Sequence, residues 1–127
     1  MQVPLFLATL VATIVSIFLS VQAGRARNRP SHYRRVASTV LFLTAAIIQA
    51  EILGQEWEFP RGRLDLHLFC AFAALASLPG AAWSGWKLRR DPTMRTVHCR
   101  WVGAFIALTL CAVATASWMF LAATPAV

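Results

Sequence analysis

Apolar residues run in four long blocks, and the polar residues fall almost entirely between them. Residues 3–23 carry Thr, Ser and a terminal Gln22 as their only polar side chains, and residues 36–54 are broken only by Ser38, Thr39, Thr44, Gln49 and Glu51. Residues 64–86 hold Asp65 and His67 near their start, and residues 101–123 hold no charge. About 20 mostly apolar residues in helical form cross the roughly 30 Å of hydrocarbon in a bilayer, so each block predicts one membrane-spanning helix. The expected fold is an all-α membrane protein, an antiparallel four-transmembrane-helix bundle forming a single integral domain over residues 1–127. Val21-Gln22-Ala23 has the small-residue look of a signal-cleavage site. No basic residue precedes the first block, however, and the block outruns the usual 7–15 residue apolar core of a signal, so it is expected to be retained.

The segments between the blocks set the orientation. Residues 24–35 hold Arg25, Arg27, Arg29, Arg34 and Arg35, with Pro30 expected to interrupt any helix. Residues 87–100 hold Lys87, Arg89, Arg90, Arg95 and Arg100, whereas the middle segment has only Arg61 and Arg63 beside Glu56 and Glu58. Basic loops face the cytoplasm, which places loops one and three inside and both termini outside. Trp57, Trp83, Trp86, Trp101 and Trp118 lie near the expected interfaces, where amphipathic rings belong.

Composition narrows the class further. The 127 residues are 58% hydrophobic and 13% charged, with a formal charge of +7. A soluble domain carries about 25% charged residues, so lipid is the main solvent. The basic residues sit in short flanks with no aromatic or groove-reading pattern, which argues against nucleic acid as a partner and for anionic lipid headgroups at Arg25, Arg27, Arg34, Arg35, Arg89 and Arg90. No phosphate-binding Gly loop, nucleophile elbow or zinc-protease helix occurs, so no catalytic activity is expected.

Small residues at helical spacing mark faces on which helices can meet: Ser38, Ala45, Ala46, Gln49 and Ala50 in span two, Ala73, Ala76, Ser77, Gly80 and Ser84 in span three, and Gly103, Ala107, Cys111, Ala114 and Ser117 in span four. Pro79 beside Gly80 is expected to kink span three, chiefly as a packing adjustment. Cys70, Cys99 and Cys111 lie in different settings without paired metal spacing, and small apolar packing is the expected role of Cys70 and Cys111.

Three histidines are the candidates for chemistry. His32 and His98 each lie shortly before a span running in the same direction, so their imidazoles are expected at similar depth, where they could share a haem iron or a metal ion. His67 opens span three at the outer end. Glu51 near the outer end of span two is its expected hydrogen-bond partner, since ionisable groups within spans are usually paired. Spans two and four each begin with a His in a basic segment, but no wider internal repeat is apparent.

His32 in its basic segment, Leu64-Asp65-Leu66-His67 opening span three, and Arg89-Arg90 followed by His98-Cys99-Arg100-Trp101 opening span four resemble a family of small bacterial four-helix membrane proteins, long filed as of unknown function, some of whose members are assembly factors for haem-copper cytochrome oxidases. The resemblance covers roughly residues 25 to 120. The chain departs from that pattern where Tyr33-Arg34-Arg35-Val36 replaces an Arg-x-Met start, and where Ala116-Ser117-Trp118-Met119 lacks the usual following Gly and Tyr. It implies a protein of the bacterial cytoplasmic membrane with larger membrane subunits as partners, haem as the candidate cofactor, and His32, His67 and His98 as the binding residues. A small structural subunit of a respiratory or photosynthetic complex, and a b-type cytochrome with one haem, are the competing expectations.

Overall fold

The computed structural model describes residues 2–126, excluding the side chain of Gln2. Four long helices account for most of them: α1 Gln2–Arg25, α2 Arg29–Gly54, α3 Arg61–Leu88 and α4 Arg95–Phe120. At 24 to 28 residues each, and 1.5 Å of rise per residue, they measure about 36–42 Å, more than a hydrocarbon core requires. Their most apolar windows have mean hydropathy of 1.5 to 2.3. The all-α fold with four potential spans is therefore the one the apolar blocks predict. A minor two-stranded ladder joins Trp57–Glu58 and Thr124–Pro125.

The helix ends differ from expectation for a local reason. Pro30 does not interrupt a helix but starts one, because α2 opens at Arg29 and the ring occupies the first turn, where no backbone N–H is needed and φ is already set. Asn28 caps this turn, its Oδ1 accepting from Ser31 N at 3.2 Å. The connection from α1 thus shrinks to residues 26–28. Pro92 acts similarly: Asp91 accepts from Thr93 N and Thr93 Oγ1 at 2.9 and 2.6 Å, and a 3-10 turn over Pro92–Met94 leads into α4. At the other end, α4 stops at Phe120 rather than Ala123. Helix α3 continues through Pro79.

The chain divides into two compact units, residues 1–58 with 125–127, and residues 59–124. In the first, α1 and α2 form an antiparallel hairpin that buries Thr13, Ser16, Ser20 and Ala23 against Thr39, Ala46 and Leu53. Hydroxyls dominate this seam, as close approach of membrane helices favours. Ser20 Oγ lies 3.2 Å from Thr39 Oγ1, and Thr9 Oγ1 donates to Gln49 Oε1 at 3.0 Å. In the second unit, α3 and α4 form another antiparallel hairpin, burying Cys70, Ala74, Ser77 and Ser84 against Phe105 and Met119. Arg63 donates to Trp118 O at 2.8 Å and stacks over its ring at 4.4 Å.

The small-residue stripe expected on span four does not face α3. Gly103, Ala107, Cys111, Ala114 and Ser117 are exposed in this hairpin, whose seam instead uses Phe105 and Met119. Cys111 thus does not pack against α3, while Cys70 is buried as expected; all three thiols are free.

The two hairpins share one register. Thr13, Ser16 and Ala23 on α1 occupy the positions of buried Ala74, Ser77 and Ser84 on α3, and Thr39 and Leu53 on α2 those of Phe105 and Met119 on α4. In the same alignment, Arg29-x-x-His32-x-Arg34-x-Val36 falls on Arg95-x-x-His98-x-Arg100-x-Val102. The internal repeat that the sequence shows only as an echo of two histidines therefore extends across both helices of each hairpin. Hydrophobic substitutions hide it, because most spanning positions constrain volume and polarity rather than identity.

Candidate functional site

Each histidine is held by the same device, a ring nitrogen against a backbone carbonyl of the antiparallel neighbour. In the first hairpin, His32 Nδ1 lies 2.8 Å from Ser20 O. In the second, His98 Nδ1 lies 3.1 Å from Ala81 O and 3.2 Å from Ser84 Oγ, and His67 Nδ1 lies 3.0 Å from Ala112 O, with Thr115 Oγ1 at 3.4 Å. A carbonyl oxygen can only accept, so Nδ1 must carry the proton. The neutral tautomer then has its lone pair on Nε2, the nitrogen with which such a ring would ligate a metal.

Two glycines make room for two of these rings. Gly24 lies one helical turn beyond Ser20, and a Cβ there would stand 3.3 Å from His32 Nδ1 and Cε1. Gly85 lies one turn beyond Ala81, and its Cβ would stand 3.0 Å from His98 Cε1. Carbonyl, glycine one turn on, and imidazole recur at matched positions of the repeat. Sequence reasoning missed Ser20, Ala81 and Ala112 as acceptors and both glycines as seats. A Gly paired with a His across each basic turn was the available signal.

One position differs tellingly between the repeats. Three residues after His32, Arg35 donates its Nη1 to Leu19 O at 2.9 Å. Three residues after His98, Trp101 instead lays its indole on Gly80, where a Cβ would stand 2.4 Å from the ring. This contact accounts for Gly80 beside Pro79.

Glu51 is exposed on α2, whereas His67 takes its Nδ1 partner from α4. Within the second hairpin, Ala112 lies about 21 Å along α4 from His98 at 1.5 Å per residue, so His67 and His98 cannot ligate one ion. Among the described residues, no three of His, Cys, Asp and Glu gather to hold a metal. Arg25, Arg27, Arg34, Arg89 and Arg90 are exposed at the basic turns, with Arg90 over the Trp86 ring at 5.5 Å and Lys87 over Trp83 at 4.5 Å. Arg35 alone of the candidate arginines is half-buried. The Asp91 carboxyl is held below the usual carboxylate range by the Thr93 hydroxyl and then the Thr93 N–H, with Lys87 adding attraction.

No family model, curated protein or solved structure matches the chain.

Proposed function

We propose that this chain is a non-catalytic multi-pass protein of a bacterial inner membrane, which assists the assembly of a cytochrome oxidase or handles haem or metal for it. The carrying observation is that three imidazoles share one orientation device, each Nδ1 proton committed to a backbone carbonyl. Such fixed rings suit a group whose Nε2 meets an incoming ligand, since the other nitrogen sets tautomer and ring angle beforehand. His32, His67 and His98 are the residues that would contact haem, a metal ion or a client helix. Bound haem would supply one-electron chemistry; the chain's own part is to hold and orient it.

The test is a reduced-minus-oxidised absorption spectrum of protein gently solubilised from its native membrane, with identification of co-purifying chains. A haem band belonging to this chain that is lost in His32→Ala or His98→Ala supports haem handling, and an oxidase subunit recovered at less than one copy per chain supports a transient assembly role. Absence of both haem and oxidase subunits overturns the proposal. A second reading, a small structural subunit of a larger electron-transfer complex, is favoured by bulky apolar side chains on the outer helix faces. Leu41, Phe69 and Phe72 are 68%, 70% and 65% exposed, as surfaces meeting lipid or neighbouring subunits require. A fixed one-to-one stoichiometry with a large complex, without haem on this chain, selects that reading.

A further inference from the structure

The turn between α1 and α2 carries a shallow, open cleft of about 240 Å³, bordered by Gln22, Ala23, Ala26, Asn28, Ser31 and Arg35. We infer that this cleft binds a phosphate group, with the Arg35 guanidinium as its principal donor. The ligand class is the phosphodiester of an anionic lipid headgroup or free inorganic phosphate, which present the same oxygens.

Three observations lead to it. First, Arg35 is half-buried and spends one of its five N–H donors on Leu19 O. No other hydrogen bond of its guanidinium occurs among the described residues, so donors remain on the side facing the cleft. Second, no carboxylate is available at this end of the hairpin. Glu51 is the first acidic residue in the chain and lies about 24 Å further along α2 at 1.5 Å per residue. A guanidinium withdrawn in part from water and lacking a counter-ion within its own hairpin favours an external anion, and its planar fork matches two phosphate oxygens. Third, the internal repeat provides a control. At the matched position of the second hairpin the indole of Trp101 covers the neighbouring helix, leaving no such guanidinium there. Ser31 and Gln22, which border the cleft, carry a hydroxyl and an amide that can serve as further donors. Arg34, next in sequence, is exposed and is not among the residues that border it. Diffuse attraction of basic turns to an acidic membrane would use Arg34 and Arg35 alike, so the inference separates a defined site from that background.

The experiment uses the full chain in nanodiscs of phosphatidylcholine containing phosphatidylglycerol, followed by detergent extraction and native mass spectrometry of retained lipid. Phosphatidylcholine carries the same phosphodiester, but its own quaternary ammonium competes for those oxygens, so wild type is expected to retain phosphatidylglycerol in preference to it. Retention is expected to fall roughly tenfold in Arg35→Gln, the loss of a charge-assisted contact, to fall less in Ser31→Ala, and to stay unchanged in Arg34→Gln. Far-UV circular dichroism checks that each variant is helical; should Arg35→Gln fail to fold, the contrast of Ser31→Ala with Arg34→Gln carries the test. Repeating the extraction in excess inorganic phosphate separates the sources. Displacement of the lipid shows that the phosphate group alone suffices, and persistence shows that the lipid is the ligand, either result keeping the site. Equal losses in Arg34→Gln and Arg35→Gln, or no preference for phosphatidylglycerol in wild type, would overturn it.

Discussion

Arg27 occupies the left-handed region, φ 55°, at the end of α1. Its N–H bonds to Gly24 O at 3.2 Å and Asn28 N–H to Ala23 O at 3.1 Å, the pair of bonds that closes a helix on a left-handed residue. Glycine takes this conformation without the Cβ clash that Arg suffers, at a penalty of roughly 1–2 kcal/mol. Arg27→Gly is therefore expected to stabilise the first hairpin by about 1 kcal/mol, read from unfolding in mixed detergent; a destabilised variant would show that the Arg side chain contributes more than its backbone strain removes. The histidines illustrate a different limit of residue-scale reading. Their types and their places near helix starts were legible, but their partners are carbonyl oxygens, which every residue possesses. Only the register of two antiparallel helices selects Ser20, Ala81 and Ala112.

At the scale of the helix and its turns, the four apolar blocks were legible because a bilayer filters composition over some twenty positions at once. Their ends were not, since proline both breaks helices and starts them, and the caps at Asn28 and Asp91 decide which happens. The α3–α4 seam depends on the face of Trp101 lying against Gly80. Gly80→Ala would force a Cβ into the indole, and the overpacking is expected to destabilise that hairpin by about 1–3 kcal/mol. Thermal denaturation checks this, and an unchanged midpoint would refute the packing. The Asp91 turn gives a pH dependence of known sign. Its carboxyl is held below its ordinary value in the folded chain, so its contribution is fully present above the unfolded-state pKa and disappears as pH falls through the lowered one. Acid titration of wild type and Asp91→Asn, followed by helicity, should show wild type alone losing stability as the pH drops through the acidic carboxylate range. Parallel curves would remove Asp91 from the account.

Across the whole chain, the register shared by the two hairpins changes what the histidines mean. As isolated interface residues, His32 and His98 would each have an ordinary explanation. Placed at equivalent positions of a repeat, each on a glycine seat and each bonded to the carbonyl one turn before that glycine, they are two examples of one arrangement. The sequence alone carries only fragments of this, the Gly and His of each basic turn, because Thr39 against Phe105 and Arg35 against Trp101 preserve position but not chemistry. His67 uses the same bond on α4 without a glycine seat, Ala116 standing one turn beyond Ala112. All three rings carry the proton on Nδ1, which leaves the lone pair of each neutral imidazole on Nε2. Nitrogen-15 NMR of histidine-labelled protein in lipid, at a pH where the rings are neutral, tests it most directly. Three imidazoles with protonated Nδ1 and unprotonated Nε2 are expected; a proton found on Nε2 of neutral His32, His67 or His98 would contradict it.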